Sequence, residues 1–382
     1  MPLRPPANRD ELRAWLRLIR SENVGPVTFR DLLTRFGDAQ AALDALPELA
    51  KRGGSKRAIK VGSKAAAERE LAALHELGAD ILPLGSAAYP ARLAAVPDAP
   101  PLLFARGNTQ LLERPAVAMV GARNASANGR KQAREIAGEL ARQGMLVVSG
   151  LARGIDAAAH TGSLADGTAA VLAGGLDVIY PPEHDELYAE IGERGLLLAE
   201  NAPGVQPQHR HFPRRNRLIS GIAVGTVVVE ASPKSGSLIT ARFAGEQGRE
   251  VMAVPGSPAD GRARGCNRLL KQGAALVENA RDVLDALADD LRREPEEPEP
   301  MAYATGSALP DALDAEDLES ARAAVLELLG ATPVAVDDLI RECQLSPPVV
   351  ATAILELELA GRCQRHPGNR VALYQEDASR TP

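Results

Sequence analysis

The densest chemistry in this chain of 382 residues sits in nine of them, His209 to Arg217, which read His-Arg-His-Phe-Pro-Arg-Arg-Asn-Arg. Four guanidiniums, two imidazoles and a phenyl ring stand there without a carboxylate. Guanidiniums crowded this closely repel one another unless an anion lies among them, and Phe212 offers a flat face to a base. These residue types point to phosphodiester. The competing reading is a solvated helix start whose arginines pair with distant carboxylates. The net charge of -6 does not decide between them, because Ala288 to Asp317 alone carries -8 and leaves the remainder at +2.

Four further segments combine small residues with groups that hold anions. Gly121-Ala122-Arg123 follows an apolar run and precedes a helix beginning near Asn128, so backbone amides, a helix N-terminus and a guanidinium converge. Ser149-Gly150-Leu151-Ala152-Arg153-Gly154-Ile155-Asp156 repeats that design, and Gly174-Gly175 follows the next run. Glu230 and then Ser235-Gly236-Ser237-Leu238-Ile239-Thr240 close the series with hydroxyls and the amides of another helix start. Several anion sites on one rim suit a polyanion threaded across it, whereas one mononucleotide needs fewer.

The same segments exclude other chemistries. A dinucleotide fingerprint is absent, since Arg123 stands where its second glycine belongs, and no P-loop pattern occurs. Asp156 and His160 lie one helical turn apart, a spacing that favours a structural hydrogen bond over acid-base work. Ser237 lies in no G-x-S-x-G elbow. Cys266, Cys343 and Cys363 have neither disulfide nor metal spacing, so no cofactor or metal is expected and a reducing cytoplasm fits. No stretch approaches the roughly 20 apolar residues that span a bilayer, so no membrane contact is expected.

The elements that must position these residues follow from the hydrophobic pattern. Seven short runs are apolar at nearly every position: 116–120, 146–149, 169–173, 196–199, 226–229, 250–254 and 275–277. Strands covered on both faces read this way, which predicts a doubly wound, mainly parallel α/β sheet with its ligands beyond the strand C-termini. Residues 1–82 are predicted as a small all-α unit of the SAM or helix-hairpin-helix type, with its turn at Val24-Gly25-Pro26. Residues 83–287 form the extended Rossmann-like domain and 288–317 an acidic, proline-bearing linker. Residues 318–376 give three helices, the third capped by Ser346, and a hairpin: a winged helix. That third helix carries Val350, Ile354, Leu355, Leu357 and Leu359 beside Glu356 and Glu358, poor material for a DNA groove.

The string of motifs resembles the DNA-processing protein A family, also called Smf or DprA. The resemblance runs through Val120 to Arg123, Ser149 to Asp156 with Ala159-His160, Gly174 to Asp177 with Tyr180-Pro181, Phe212 to Arg217, Glu230 with Ser235 to Thr240, and Val254-Pro255-Gly256. It implies a non-enzymatic, dimeric, single-stranded DNA-binding protein that protects incoming strands and helps load the RecA recombinase in natural transformation. By the same resemblance Arg123 grips a phosphate, Phe212 stacks on a base, and Arg215 and Asn216 shape the pocket. The expected nucleic-acid site comprises Gly121, Ala122, Arg123, Ser149, Gly150, Arg153, Gly174, His209, Arg210, Phe212, Arg214, Arg215, Asn216, Arg217, Ser235, Gly236, Ser237 and Thr240. Family members often carry a lysine before the phenylalanine; here His209, Arg210 and His211 stand instead, which suggests pH-dependent contact.

The alternative reading is a nucleotide-processing enzyme of the nucleoside monophosphate phosphoribohydrolase type, with Glu230 as its catalytic group; the chain lacks the P-G-G-x-G-T-x-x-E stretch of those enzymes. With only eleven aromatic residues, affinity for a strand must come mainly from phosphates. About four phosphate contacts predict that the logarithm of the binding constant falls with the logarithm of salt at a slope near -3.

Overall fold

The computed structural model describes residues 3–292, 315–366 and 368–374. They fall into two compact units, residues 3–68 with those beyond 315, and residues 69–292. In the first, α1 (Arg9–Ile19), α2 (Pro26–Phe36) and α3 (Ala39–Arg52) form the predicted helical unit. Asn8 and Asp38 cap α1 and α3 by accepting amide hydrogens of their first turns. Trp15 of α1 meets Phe29 of α2 edge to face at 5.0 Å.

Next in the chain come α4 (Lys64–Glu76), β1 (Asp80–Pro83), α5 (Ala91–Ala94), β2 (Leu102–Gly107), β3 (Ala116–Gly121), α6 (Ala127–Arg142) and β4 (Leu146–Ser149). They are followed by α7 (Ile155–Ser163), β5 (Thr168–Val171), α8 (Asp185–Arg194), β6 (Leu196–Ala199), α9 (His211–Ile222) and β7 (Gly225–Val229). Then come α10 (Ser237–Glu246), β8 (Glu250–Ala253), α11 (Arg264–Lys271), β9 (Ala275–Leu276), α12 (Ala280–Ala286) and α13 (Ala288–Arg292). The nine strands form one sheet in the order β1-β2-β6-β5-β4-β3-β7-β8-β9.

From β6 to β9 every pairing is parallel, as the continuous apolar runs predict. Val117, Met119, Val147, Val227 and Val229 are buried against Ile136 and Leu140 of α6, Ile155 of α7 and Val283 of α12. The chain winds one way from β3 to β6 and the other way from β7 to β9. The topological switch point therefore lies between β3 and β7. β1 and β2 add an antiparallel edge that the run-by-run reading did not include. Helix α13 occupies the first five residues of the stretch expected as a linker; residues 293–314 of that stretch lie outside the described residues.

The remainder of the first unit is α14 (Ala315–Leu328), β10 (Val334–Ala335), α15 (Val336–Cys343), α16 (Pro347–Leu359), β11 (Cys363–His366) and β12 (Arg370–Leu373), a winged helix with Ser346 at the N-cap of α16. Its third helix is apolar nearly all round for a physical reason: both sides are covered. Val350, Ala353, Ile354 and Leu357 enter the winged-helix core, while Leu355 and Leu359 are buried outside it. Gly53 approaches so closely that a Cβ there would lie 1.9 Å from the Glu356 carbonyl oxygen. Thr28 donates to the Glu358 carboxylate at 2.7 Å and Asn23 to the Leu359 carbonyl at 3.1 Å. Arg365 reaches Asp31 at 2.9 Å and Glu358 at 3.2 Å. The helix that would enter a groove in other winged helices is thus packed within its own unit.

Glu356, fully buried, takes its ion pair from Arg322 at 2.6 Å. Arg322→Ala leaves that carboxylate unpaired and is expected to lower the stability of this unit by about 3 kcal/mol, measured by chemical denaturation.

Candidate nucleic-acid interface

The turn from β4 into α7 carries the site, and its strain is held from below. Leu151 adopts a left-handed backbone (φ 54°), and Gly154 a positive φ of 78°. The Asp156 carboxylate accepts the amides of Gly150 at 3.2 Å and Ala152 at 3.4 Å; His160 Nε2 accepts that of Leu151 at 3.3 Å. His160 Nδ1 faces Thr168 Oγ1 at 2.7 Å, and His184 Nδ1 donates to the Leu151 carbonyl at 3.0 Å. Asp156 and His160 therefore brace the turn. Burial, with the positive charge of Arg215 and then His184, lowers the His160 pKa to about 3 and keeps the ring neutral.

Above this turn lies the guanidinium of Arg215, delivered by α9. It is 5% exposed, and its Nε and Nη1 have no hydrogen-bond partner among the described residues. It packs directly on Gly150, where a Cβ would sit 1.3 Å from Nη1. Burial brings its pKa down to about 10; facing Asp156 opposes that shift and the like charge of Arg123 adds to it. The Asp156 carboxyl is pushed upward by burial and drawn back by Arg215 and the two amides.

Arg215 borders a cavity of about 260 Å³ lined also by Arg123, Asn124, Gly150, Ala152, Arg153, Leu172, Ala173, Gly174, Val178, Tyr180, Pro181, Pro207 and Phe212. Arg123 lies over the Phe212 ring at 5.2 Å from its centroid, and Tyr180 meets Phe212 at 5.6 Å with the rings tilted by 55°. Arg123, Gly150, Arg153, Gly174, Phe212 and Arg215 are thus brought together as the sequence reading expects. Arg153 shares its charge with Glu183. Asn124, Tyr180 and Pro207 were missed; the exposed aromatic of Ile179-Tyr180-Pro181, just past the glycine turn, is the signal that marks Tyr180.

Several expected residues are placed elsewhere. Arg217 is buried and ion-paired to Glu200 and Asp98, the alternative raised for these arginines from sequence. Ser149 donates to the Met119 carbonyl at 2.6 Å inside the sheet. Thr240 is 1% exposed, and Ser235 and Ser237 bond each other at 2.7 Å in a loop that Asn216 contacts through the Gly236 carbonyl at 3.4 Å. None of these seven lines the cavity. His211 is buried, accepts the Gln208 amide at 3.2 Å, and has its pKa lowered by burial, Arg210 and Arg214, so it brings no positive charge at neutral pH. His209, Arg210 and Arg214 are exposed.

The helix start after Arg123 also differs from expectation. Gly121 packs against the Val229 carbonyl, and the Ala122 amide donates to the Glu230 carbonyl at 2.7 Å. The Glu230 carboxylate accepts the Ser126 amide at 2.8 Å and its hydroxyl at 2.5 Å, while the Ser126 hydroxyl accepts from Gly129 at 2.9 Å. A Cβ at Gly129 would come within 2.5 Å of that carboxylate. The protein's own anion therefore fills the N-terminus of α6 at the switch point, and the open cavity is shifted toward β4 and β5. No group of acidic, histidine or cysteine side chains suited to a metal is found, and no helix is long and apolar enough to cross a membrane, among the described residues.

Residues 80–288 match the model of the DNA recombination-mediator protein A family, residues 9–73 that of the DprA-like N-terminal HHH domain, and residues 309–369 that of the DprA winged helix domain. Protein Smf of Escherichia coli is 38% identical over 309 residues, 80% of this chain and 80% of its own. The X-ray structure of DNA processing protein A from Streptococcus pneumoniae superposes with a TM-score of 0.60 at 37% identity, covering 71% of this chain and 95% of that one. DNA processing protein A from Helicobacter pylori, whose structure addresses its single-stranded DNA binding mode, gives a TM-score of 0.51 at 29% identity over 56% of this chain and 96% of its own.

Two outcomes follow from the bracing groups. His160 is neutral when folded and takes up a proton near pH 6.5 when unfolded, so its contribution is complete above that pH and falls away toward pH 3. Between pH 7 and 5 this amounts to roughly 2 kcal/mol, and His160→Gln is expected to flatten that part of the stability profile. Glu230→Ala leaves Ser126, the N-cap of α6, without the carboxylate that accepts its amide and hydroxyl and is expected to cost about 1 kcal/mol, read as a lowered denaturation midpoint.

Proposed function

Because the chain belongs to the DNA recombination-mediator protein A family, we propose that it binds single-stranded DNA without catalysing a reaction on it, the strand crossing the Arg123–Phe212 platform. The observation that carries this reading is the buried guanidinium of Arg215, its Nε and Nη1 without a hydrogen-bond partner among the described residues, behind an exposed cation and two aromatic rings. Like charges at Arg123 and Arg215 are relieved by a polyanion, and stacking on Phe212 and Tyr180 tolerates any base. A duplex hides its base faces and gains little from such rings. The single-stranded DNA binding described for the Helicobacter pylori protein supports the same reading.

In the cell this activity is proposed to be cytoplasmic and carried out by a homodimer. It protects incoming single strands and helps load the RecA recombinase on them during natural transformation and recombination. The description of the matching family as a recombination mediator supports it. The nucleotide-processing alternative assigns catalysis to Glu230, whose carboxylate is instead engaged with Ser126. No nucleotide cofactor or metal enters the proposal.

Arg123, Arg210 and Arg214 are the exposed arginines proposed to meet phosphates, one fewer contact than the sequence suggests because Arg217 is spent on Glu200 and Asp98. Anisotropy titration of labelled oligo-dT is expected to give a salt slope near -2 and clear preference over duplex. Arg123→Glu should abolish binding at moderate salt, and Phe212→Ala should weaken it about tenfold. A slope near zero, or equal affinity for duplex, would overturn the proposal. For the recombinase step, the rate of RecA filament growth on strands coated with a single-strand-binding protein should rise on adding the wild type and stay at its basal value with Arg123→Glu.

A further inference from the structure

In the first unit, the connection between α3 and α4 carries a basic surface that has no part in the site described above. Its fourteen residues, Lys51 to Lys64, include Lys51, Arg52, Lys56, Arg57, Lys60 and Lys64, with no carboxylate and no aromatic ring. All six cations are exposed. Arg52 pairs with Glu48 at 3.2 Å and Arg57 with Glu22, which also feels the charge of Lys60. The four lysines make no ion pair of their own among the described residues. The backbone that presents them is held in place. The Lys60 amide donates to the Glu22 carboxylate at 3.2 Å, the Gly62 amide to Ser21 Oγ at 2.9 Å, and Arg17 Nε to the Gly62 carbonyl at 2.9 Å. The glycine pair docks on the winged helix: Gly53 meets Glu356, and a Cβ at Gly54 would lie 3.2 Å from Nη1 of the exposed Arg362. Packing of the two chain ends thus adds Arg362, at the foot of the β11–β12 hairpin, to the lysines of the loop.

A surface that is only solvated mixes charges of both signs. A protein partner needs an apolar or aromatic centre in which lysine is depleted, and here Ile59 is buried beneath the loop. A single strand needs rings on which its bases stack, and the loop has none. A double helix needs neither: its base faces are hidden, its phosphates stand at fixed positions, and it carries one charge per about 1.7 Å of axis, twice the density of one strand. We infer that the loop from Lys51 to Lys64 and Arg362 form a second nucleic-acid surface, which holds the phosphate backbone of duplex DNA and is separate from the Arg123–Phe212 rim. Contacts to phosphate fix position and carry no sequence preference. The parts of the two motifs that usually meet DNA take no share in it. Helix α16 is covered, and the α1–α2 turn engages the Leu359 carbonyl through Asn23 and Glu358 through Thr28. Without a stacking ring the surface is the weaker of the two, so the protein as a whole still prefers single strands. It extends the single-strand reading and does not depend on it.

The test compares a labelled blunt duplex with labelled oligo-dT, by anisotropy at low salt on the full-length protein. The wild type is expected to bind the duplex whatever its sequence, and more weakly than oligo-dT. Lys56→Glu/Lys60→Glu, two exposed substitutions, should weaken duplex binding about tenfold, reduce its salt slope by about 2, and leave oligo-dT within about twofold. Arg123→Glu should do the reverse, losing oligo-dT and keeping the duplex within about twofold. Absence of duplex binding in the wild type overturns the inference. Duplex binding that Arg123→Glu removes and the lysine variant spares overturns it as well, and makes the rim the duplex site. Equal losses of both ligands in the lysine variant place the loop on the path of the single strand instead. Displacement of the labelled duplex by poly-glutamate as readily as by unlabelled duplex of the same charge concentration overturns it in favour of an acidic protein partner. Duplex binding that the lysine variant loses, in a protein that does not bind oligo-dT, upholds this surface and overturns the single-strand reading alone.

Discussion

A guanidinium held out of water, with two of its nitrogens unpartnered among the described residues, governs the geometry of the site. Taking a charge into a protein interior costs several kcal/mol unless a counter-charge and hydrogen bonds repay it. Asp156 supplies the counter-charge for Arg215, yet its carboxylate is committed to the amides of Gly150 and Ala152. The surrounding residues are fitted to that arrangement. Gly150 leaves room for the guanidinium, Leu151 accepts a left-handed backbone, and a neutral His160 holds the Leu151 amide. Two buried donors are thus left without an acceptor among the described residues.

Under the proposed function, the same economy favours a strand over a mononucleotide at this rim. Mononucleotide folds hold phosphate on the free amides of a helix N-terminus at the switch point. Here Glu230, in a left-handed conformation of its own, fills that position and holds Ser126, the N-cap of α6. Charge for phosphate must then come from side chains, and α9 distributes its arginines by helical angle. Phe212 and Arg215, three residues apart, face the cavity; Arg214 stays in solvent; Arg217 turns inward to Glu200 and Asp98. One basic stretch thereby supplies an aromatic ring at the cavity, a buried donor, a solvent-exposed cation and a structural ion pair.

In the other unit the winged helix is used in a way that its outline alone does not announce. Leu355 and Leu359 are apolar on the side of α16 that lies away from the winged-helix core, and Glu358 faces Thr28 and Arg365. An apolar, acidic helix is unsuited to a phosphate-lined groove and well suited to packing on α3. The two ends of the chain form one compact body as a result.

By itself the sequence determined the parallel sheet, the winged helix and the strand-end turns at Gly121 and Gly150, because apolar runs and glycine-rich junctions are local signals that tertiary context rarely overrides. It also brought Arg123, Phe212 and Arg215 into one site. It did not reveal the antiparallel edge of β1 and β2, whose residues carry no period distinct from loops. Nor did it separate Arg217 from Arg214, since which side of α9 faces carboxylates depends on strands far away in the chain. The expected cradle of backbone amides fails for the same reason: an amide's availability is set by Glu230, Asp156 and His160, which tertiary packing brings to it. Tyr180 is marked in the sequence by its place past the glycine turn, but only the fold sets it against Phe212. Residue types and spacing thus fix what groups are present, while the tertiary structure decides which of them remain unspent and face a ligand.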